Sequence, residues 1–461
     1  MALRDRIVPV IVASPLFLQN LDASVMATAL PSIAHSLNVL PLQLNLAITS
    51  YLLSLAVFLP VSGWLAERFG PKRVFCVAIG LFALSSAFCG MAQSLPALVL
   101  FRILQGMGGA MMVPVGRLIL LRSVPKERLI SAMVWFTIPP VMGRLLGPLI
   151  GGAIVTLTSW RWIFLLNIPF GVFAVLLALW LIDEQPPGAF AQPFDLLGFV
   201  WLALGLTGVL GAFETLGKDI APDWVIALAG LLGAACLYAY VRHGRAREEP
   251  LIDLGLLRFR TFFTSMIGSI PLRIAIGALP FLMPLMLQLG FGLSPLAAGM
   301  LTVGTAVGSL ATRFIMAQAM KRLGFRTVLL TATCMISIFY FSYSLFTPST
   351  SHTLMFIVMI FGGLFTSTGM VSMQTLGFSD IPKPRMSHAT AISSMMQQLT
   401  ISAGVVVASS LVTLAAWWRG GAPGHLQARD FSPAFAIIGA FTLVSLVAFR
   451  RLDENEGAGL R

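Results

Sequence analysis

The chain is divided, almost end to end, into apolar stretches long enough to cross a lipid bilayer. They run roughly over 8–33, 44–66, 74–92, 97–121, 129–157, 161–182, 195–216, 223–242, 261–288, 295–319, 326–346, 353–378, 387–418 and 432–449, fourteen in all. A spanning helix needs about 20 such residues. Inside hydrocarbon no water satisfies the backbone, so only helices and closed barrels are viable. The stretches are continuous runs without strand-like alternation, which excludes a barrel and predicts an all-α integral membrane protein. Composition agrees: 10% of residues are charged, against about 25% in soluble domains.

The net charge of +12 does not point to nucleic acid. Lys and Arg are scattered singly between apolar spans, with no basic stripe interleaved with aromatics. With both termini placed in the cytoplasm, only Arg161, Lys218, Arg419 and Arg429 fall in outer segments. Arg102, Arg117, Arg144, Arg273 and Arg313 fall within or near spans, and the rest of the 30 Lys and Arg are cytoplasmic. That bias fixes the orientation. Trp160, Trp162, Trp224, Trp417 and Trp418 cluster at outer helix ends, where an aromatic belt is expected. Cys76, Cys89, Cys236 and Cys334 all fall in apolar spans and form no CxxC or Cys/His cluster, so neither a disulfide framework nor a metal site is expected. The span length and its internal acid argue against cleavage of the first span as a signal peptide.

That acid is Asp22. A carboxylate in the membrane interior costs roughly 3 kcal/mol on insertion scales, so an intramembrane acid is a functional-site hypothesis by default. Of the 18 acidic residues, it is the one deep inside an expected span. Counting 1.5 Å per residue along each helix, Arg102 of the fourth span lies within side-chain reach of its depth. Arg102, Gln105 or Gly106, and Gly109 share one helix face. Gln19 and Asn20 precede Asp22, and Ser394, Gln397 and Gln398 lie along one side of the thirteenth span. These polar groups, with Arg144 and Arg273, are the expected lining of a substrate cavity. Met111, Met112, Met283, Met286, Met395 and Met396 are either adaptable cavity wall or core filler.

Two basic, Gly-centred turns mark a weak internal repeat: Arg68-Phe69-Gly70-Pro71-Lys72-Arg73 after the second span and Arg322-Leu323-Gly324-Phe325-Arg326 after the tenth. Their spacing predicts an amino-terminal six-helix bundle over 1–182, an inserted helix pair with a cytoplasmic amphipathic linker over 183–260, and a carboxy-terminal six-helix bundle with a short tail over 261–461. In the first turn, Gly63 and Gly70 are expected to allow close helix approach and a tight turn. Glu67 either pairs with a neighbouring Arg or sits at a helix end. In the fifth span, Gly143, Gly147 and Gly151 recur every fourth residue, followed by Gly152. They make a smooth stripe for a neighbouring backbone, and Pro148 is expected to kink the helix.

Gly63 to Arg73, GWLAERFGPKR, resembles the cytoplasmic signature of the major facilitator superfamily. Leu21-Asp22-Ala23-Ser24 through Ala29-Leu30-Pro31-Ser32-Ile33, Arg102 to Ala110, and Gly143 to Gly152 (GRLLGPLIGG) resemble three signatures of its fourteen-helix drug:proton antiporters. The run Gly108 to Arg117 is most similar to the MdtD-type branch of multidrug exporters in Gram-negative bacteria. The resemblance covers essentially the whole chain. Arg144 departs from it, standing where a proline or small residue is usual.

The resemblance implies a major facilitator fold of two six-helix bundles plus two extra helices. It implies proton-coupled export of small organic compounds by alternating access, an Asp22–Arg102 contact, and residence in the bacterial inner membrane as a monomer. No GxxxxGK[ST] loop is present, so the expected energy source is the proton gradient, with no cofactor. An exporter of organic anions held by deep arginines is the alternative. A membrane enzyme lacks a nucleophile–base pair, and a channel lacks a polar pore ring.

Overall fold

The structure, a computed structural model, describes residues 3–123, 129–184, 194–215, 222–247, 251–382, 385–420 and 426–453. Thirteen helices among the described residues are long and apolar enough to cross a membrane. The fifth expected span is also helical, Leu129–Leu157 (29 residues). The chain divides into two compact units, Met1–Leu251 and Ile252–Arg461. The inserted helix pair therefore groups with the first unit.

The first unit begins with α1 (Leu3–Leu37), which stays helical through Pro9, Pro15 and Pro31. There follow α2 (Asn45–Phe58) and α3 (Val61–Phe69), then α4 (Pro71–Met91) and α5 (Leu95–Ser123). Next come α6 (Leu129–Leu157), the short α7 (Arg161–Leu165) and α8 (Asn167–Leu181). The pair α9 (Leu196–Thr215) and α10 (Asp223–Arg245) completes it. Helix α1 packs on α6, and α5 sits between α2 and α4. Helices α9 and α10 pack on each other and dock through rings, Phe199 lying 5.4 Å from Phe58 and Phe194 lying 4.9 Å from Trp64. Most of their remaining surface is exposed and apolar, as lipid-facing helices require.

The second unit opens with a short 3-10 turn, Leu254–Arg258, capped by Asp253. Within the expected linker, Ile252 and Leu256 are thus buried in this unit. There follow α11 (Arg260–Phe263), a widened π-type turn at Thr264–Gly268, and α12 (Ile270–Leu285). The remainder is α13 (Pro295–Ser344), α14 (His352–Gly377), α15 (Met386–Trp418), α16 (Ala428–Thr442) and α17 (Ser445–Arg450). Helix α12 packs on α15, and α13 on α14 and α16.

The two Gly-centred turns share a backbone device. Gly70, between α3 and α4, has φ 88°, and Gly324, at a kink inside α13, has φ 77°. Only glycine adopts this region without steric cost, so each turn is set by that residue. Trp162, Trp224, Trp417 and Trp418 are exposed at helix ends, whereas Trp160 is buried beneath the Arg161 guanidinium, 4.6 Å from its ring.

Candidate functional site

Among its described residues, the first unit fully buries one ion pair. Asp22 is 2% exposed and Arg102 1%. Arg102 Nη1 donates to Asp22 Oδ2 at 2.5 Å. By helix rise, Asp22 lies about 28 Å from the start of α1 and about 22 Å from its end, so the pair is deep. Neither charge is tolerable there alone; removing one partner of a buried pair costs about 3–5 kcal/mol.

The surroundings leave few of the pair's polar atoms idle. Arg102 also donates to Gln105 Oε1 (2.7 Å) and, through Nε, to the Ala47 carbonyl (3.2 Å). Its guanidinium carbon lies 4.2 Å from the centre of the Tyr51 ring. Because Gln105 Oε1 takes the arginine, its amide nitrogen faces Asp22 and donates to Oδ1 at 3.2 Å. Asn167, the first residue of α8, donates to the same Oδ1 at 3.3 Å and to Ser86 Oγ at 2.9 Å. Ser86 in turn donates to the Phe164 carbonyl at 2.9 Å, and Cys89 Sγ lies 3.7 Å from Gln105 Oε1. The carboxylate therefore has one oxygen on a strong charged donor and the other on two long amide bonds.

Local sequence explains how helices come this close. A side chain at Gly106 of α5 would overlap Ser54 Cβ at 2.6 Å and the Tyr51 carbonyl at 2.7 Å on α2. The stripe on α6 lies against the Asp22 helix. A Cβ at Gly143 would meet the Phe17 carbonyl at 2.5 Å, one at Gly147 would overlap the Ser24 side chain, and one at Gly151 would meet Val25 Cγ1 at 2.6 Å. Small residues here let backbones approach, the usual basis of helix association in lipid. Gly152 is buried, and Pro148 is half-buried in a helix that runs on without a break.

Other expected site residues lie elsewhere or do different work. Gln19 is buried beside Gly109 with its Oε1 unpartnered, while Asn20 donates to the Leu16 carbonyl on its own helix at 2.8 Å. Gln397 accepts from Gln374 Nε2 at 3.2 Å, and Gln398 is half-buried on the same helix. Arg273 is buried in the second unit. The side chain of Arg144 lies outside the described residues.

The cytoplasmic signature departs from the sequence expectation at Gly63. Gly63 faces open space, with nothing within 4 Å of an added Cβ, so it brings no helices together. Glu67 and Arg68 are exposed in the last turn of α3, and Glu67 takes the helix-end option, with no ion pair among the described residues. Arg73 instead pairs with Glu184 at 2.6 Å, and Lys72 donates to the Leu179 carbonyl at 2.8 Å, tying this turn to the end of α8. Sequence reasoning missed Tyr51, Ser86 and Asn167. Asn167 was findable, as a lone amide in an otherwise apolar span.

Among the described residues no group of His, Cys, Asp and Glu could hold a metal ion. A family model described as Major Facilitator Superfamily matches residues 15–251 and 262–460. A Klebsiella pneumoniae protein is 36% identical over 97% of this chain and 95% of its own length. An Escherichia coli protein is 40% identical over 88% and 85%. Both carry the name multidrug resistance protein MdtD, a name that is itself a proposal. Among solved structures, a D-xylose–proton symporter superposes with a TM-score of 0.69 at 16% identity, covering 97% of this chain and 98% of its own. An inward-facing, occupied bacterial homologue of the lysosomal transporter Spinster also gives 0.69, at 14% identity over 96% of each chain. At these identities the likeness concerns the fold alone.

Proposed function

The chain belongs to the major facilitator superfamily, a family of multi-pass membrane transporters, and from that premise we propose that it exports small organic compounds in exchange for protons. Transport proceeds by alternating access, with Asp22 as the proton site and Arg102 as its charge partner. The observation that carries the reading is the buried Asp22–Arg102 pair, 2.5 Å apart, with Oδ1 held only by amides. Protonating Asp22 leaves Arg102 without a counter-charge, so the two protonation states favour different arrangements of the helices around them. That differential is what lets a proton shift a conformational equilibrium.

A proton supplies about 1.4 kcal/mol per pH unit and about 2.3 kcal/mol per 100 mV, so no cofactor is required. Substrate is proposed to meet Gln19, Asn20, Gln105, Gln397, Gln398, Arg144 and Arg273. The turn at Gly63, Glu67, Arg68, Gly70 and Arg73, and the stripe at Gly143, Gly147, Pro148, Gly151 and Gly152, serve the conformational change. We place the protein in the bacterial inner membrane as a monomer, both termini cytoplasmic. The relatives' names favour a broad range of small organic compounds over an exporter confined to organic acids.

The test is uptake into everted membrane vesicles energised by an imposed pH gradient. Accumulation of a fluorescent organic cation that collapses with an uncoupler, and is absent in Asp22→Asn, supports the reading. Full accumulation in that variant removes it.

A further inference from the structure

The second unit also buries a charge, and this one is not closed. Arg273 stands on the first turn of α12, 3% exposed. Counted from Arg260, it lies about 20 Å along the helix path, well inside the expected ninth span, 261–288. Its guanidinium folds back over the break between the π-type turn Thr264–Gly268 and α12. There Nε donates to Ser269 Oγ at 3.0 Å and Nη2 to the Ser265 carbonyl at 3.2 Å. Ser269 Oγ donates to that same carbonyl at 2.5 Å, and Ser265 Oγ donates to the Met373 carbonyl of α14 at 2.6 Å. Two edges of the guanidinium are therefore fixed. The third nitrogen, Nη1, is buried and has no partner.

Among its described residues, the second unit supplies no counter-charge. Among the described residues of this unit the acids are Asp253, Asp380, Asp430 and Asp453, all at helix ends. Each is engaged there: Asp253 with Arg385, Asp380 with Thr261, Asp430 with Arg419 and Asp453 with Arg260. The backbone adds charge of the same sign. A helix broken inside the membrane presents the positive end of its dipole at the break, and transporters use such half-helix N-termini to hold anionic substrate groups. Here the Leu272 N–H is already taken by Ser445 Oγ at 3.2 Å. The unspent side-chain donor at the break is the arginine's Nη1.

We propose that Arg273, at the broken start of α12, is a subsite for the carboxylate of a small organic acid. A single carboxylate neutralises a single guanidinium, whereas a phosphate would bring up to about two charges against one. Nη1 is sealed in this conformation, so the ligand reaches it only when the helices around α12 part. The inference deepens the transport reading and rests on it for translocation of the bound acid. It adds acidic and zwitterionic compounds to the range carried.

The test is binding to the full chain in phosphatidylcholine nanodiscs, which bring no net-anionic lipid. The probes are benzoate and its neutral analogue benzamide. Benzoate should bind at least about tenfold more tightly than benzamide, a difference of about 1.4 kcal/mol. Arg273→Gln should erase that preference, Arg273→Lys should keep part of it, and Arg258→Gln, at an exposed arginine, should leave it intact. Equal binding of the two probes by the unaltered protein overturns the proposal, as does a preference that survives Arg273→Gln. Should Arg273→Gln fail to fold, Ser269→Ala decides: it releases one anchor of the guanidinium, so reduced benzoate affinity supports the subsite and unchanged affinity overturns it. Binding is read without a pH gradient, so its failure leaves the Asp22 reading standing, and failure of the Asp22 test leaves the subsite standing.

Discussion

The first long helix of each unit carries a deep charge, and the two are handled in opposite ways. In the first unit Asp22 on α1 meets Arg102 at 2.5 Å, and amides hold its second oxygen. In the second, Arg273 on α12 meets only serine groups and keeps one nitrogen free. The scaffolds around them are alike. Helix α1 lies on the glycines of α6, and α12 meets α15 where a Cβ at Gly277 would touch Ile401 Cα at 2.5 Å and one at Gly404 would touch Ala278 N at 2.8 Å. The same packing thus carries a pair that is neutral by itself and a charge that is not. A neutral pair suits the proton site proposed for it, since protonating Asp22 would leave Arg102 without its counter-charge. An open guanidinium is suited to receiving an anion.

The sharpest break of this comparison is Asp22→Asn. It should reduce pH-driven uptake in everted vesicles to background while the protein still inserts and purifies. Unchanged uptake would show that the closed pair is structural. Next in size is a matched pair of stability measurements. Arg102→Gln strands a buried carboxylate, which should cost about 3–5 kcal/mol. Arg273→Gln removes a buried charge that has no counter-charge among the described residues, so it strands no partner and should not carry that cost. Thermal unfolding in detergent should therefore fall sharply for the first variant and not for the second. Equal losses would mean that Arg273 has a counter-charge after all.

How much of this was legible in sequence depends on what each feature requires. The spans were legible because a membrane demands long apolar runs, and such runs are visible without any partner. Asp22 and Arg102 were legible for the converse reason, since ionisable residues in those runs are conspicuous. Matching depth made their contact feasible, and the family resemblance implied it. Asn167, Ser86 and Tyr51 were not singled out, because a neutral polar residue in a helix interior has many uses and its partners come from distant segments. The role of Gly63 was misread because glycine spacing reports where a close approach is permitted, not whether a helix stands opposite. Glu184 as the partner of Arg73 was invisible for the same reason, 111 residues separating the two.

Two smaller effects probe the scaffold rather than the charges. Gly147→Ala places a Cβ on the Ser24 side chain of the Asp22 helix. Overpacking of this kind costs about 1–3 kcal/mol. Gly63→Ala meets nothing within 4 Å inside helix α3, so its helix propensity should make it neutral or stabilising by up to about 1 kcal/mol. Unfolding temperatures of the two variants, compared side by side, separate a stripe that is in contact from a glycine that is not. Similar values would mean that α1 and α6 give way easily.

The smallest effect lies at the edge of the first unit, where Asp195 caps α9 by accepting from Gly198 N–H at 3.0 Å. It also holds His243 of α10 at 2.9 Å and pairs with Arg247. Burial pushes the Asp195 carboxyl up, but the bonds from His243 and Gly198 and the charges of His243 and Arg247 outweigh it and hold it below the usual carboxylate range. A carboxyl lowered by folding contributes stability that is fully present above its ordinary value of about 3.9 and is lost as pH falls through the lower folded value. With Arg247 part-exposed, the contribution is at most about 1 kcal/mol. Amide exchange in α9 and α10 should therefore quicken relative to the rest of the unit only on acidification below about pH 4. Asp195→Asn should show the faster exchange at neutral pH and little further change with acid. A variant that exchanges like the unaltered protein at neutral pH would assign the docking of this helix pair to its aromatic contacts alone.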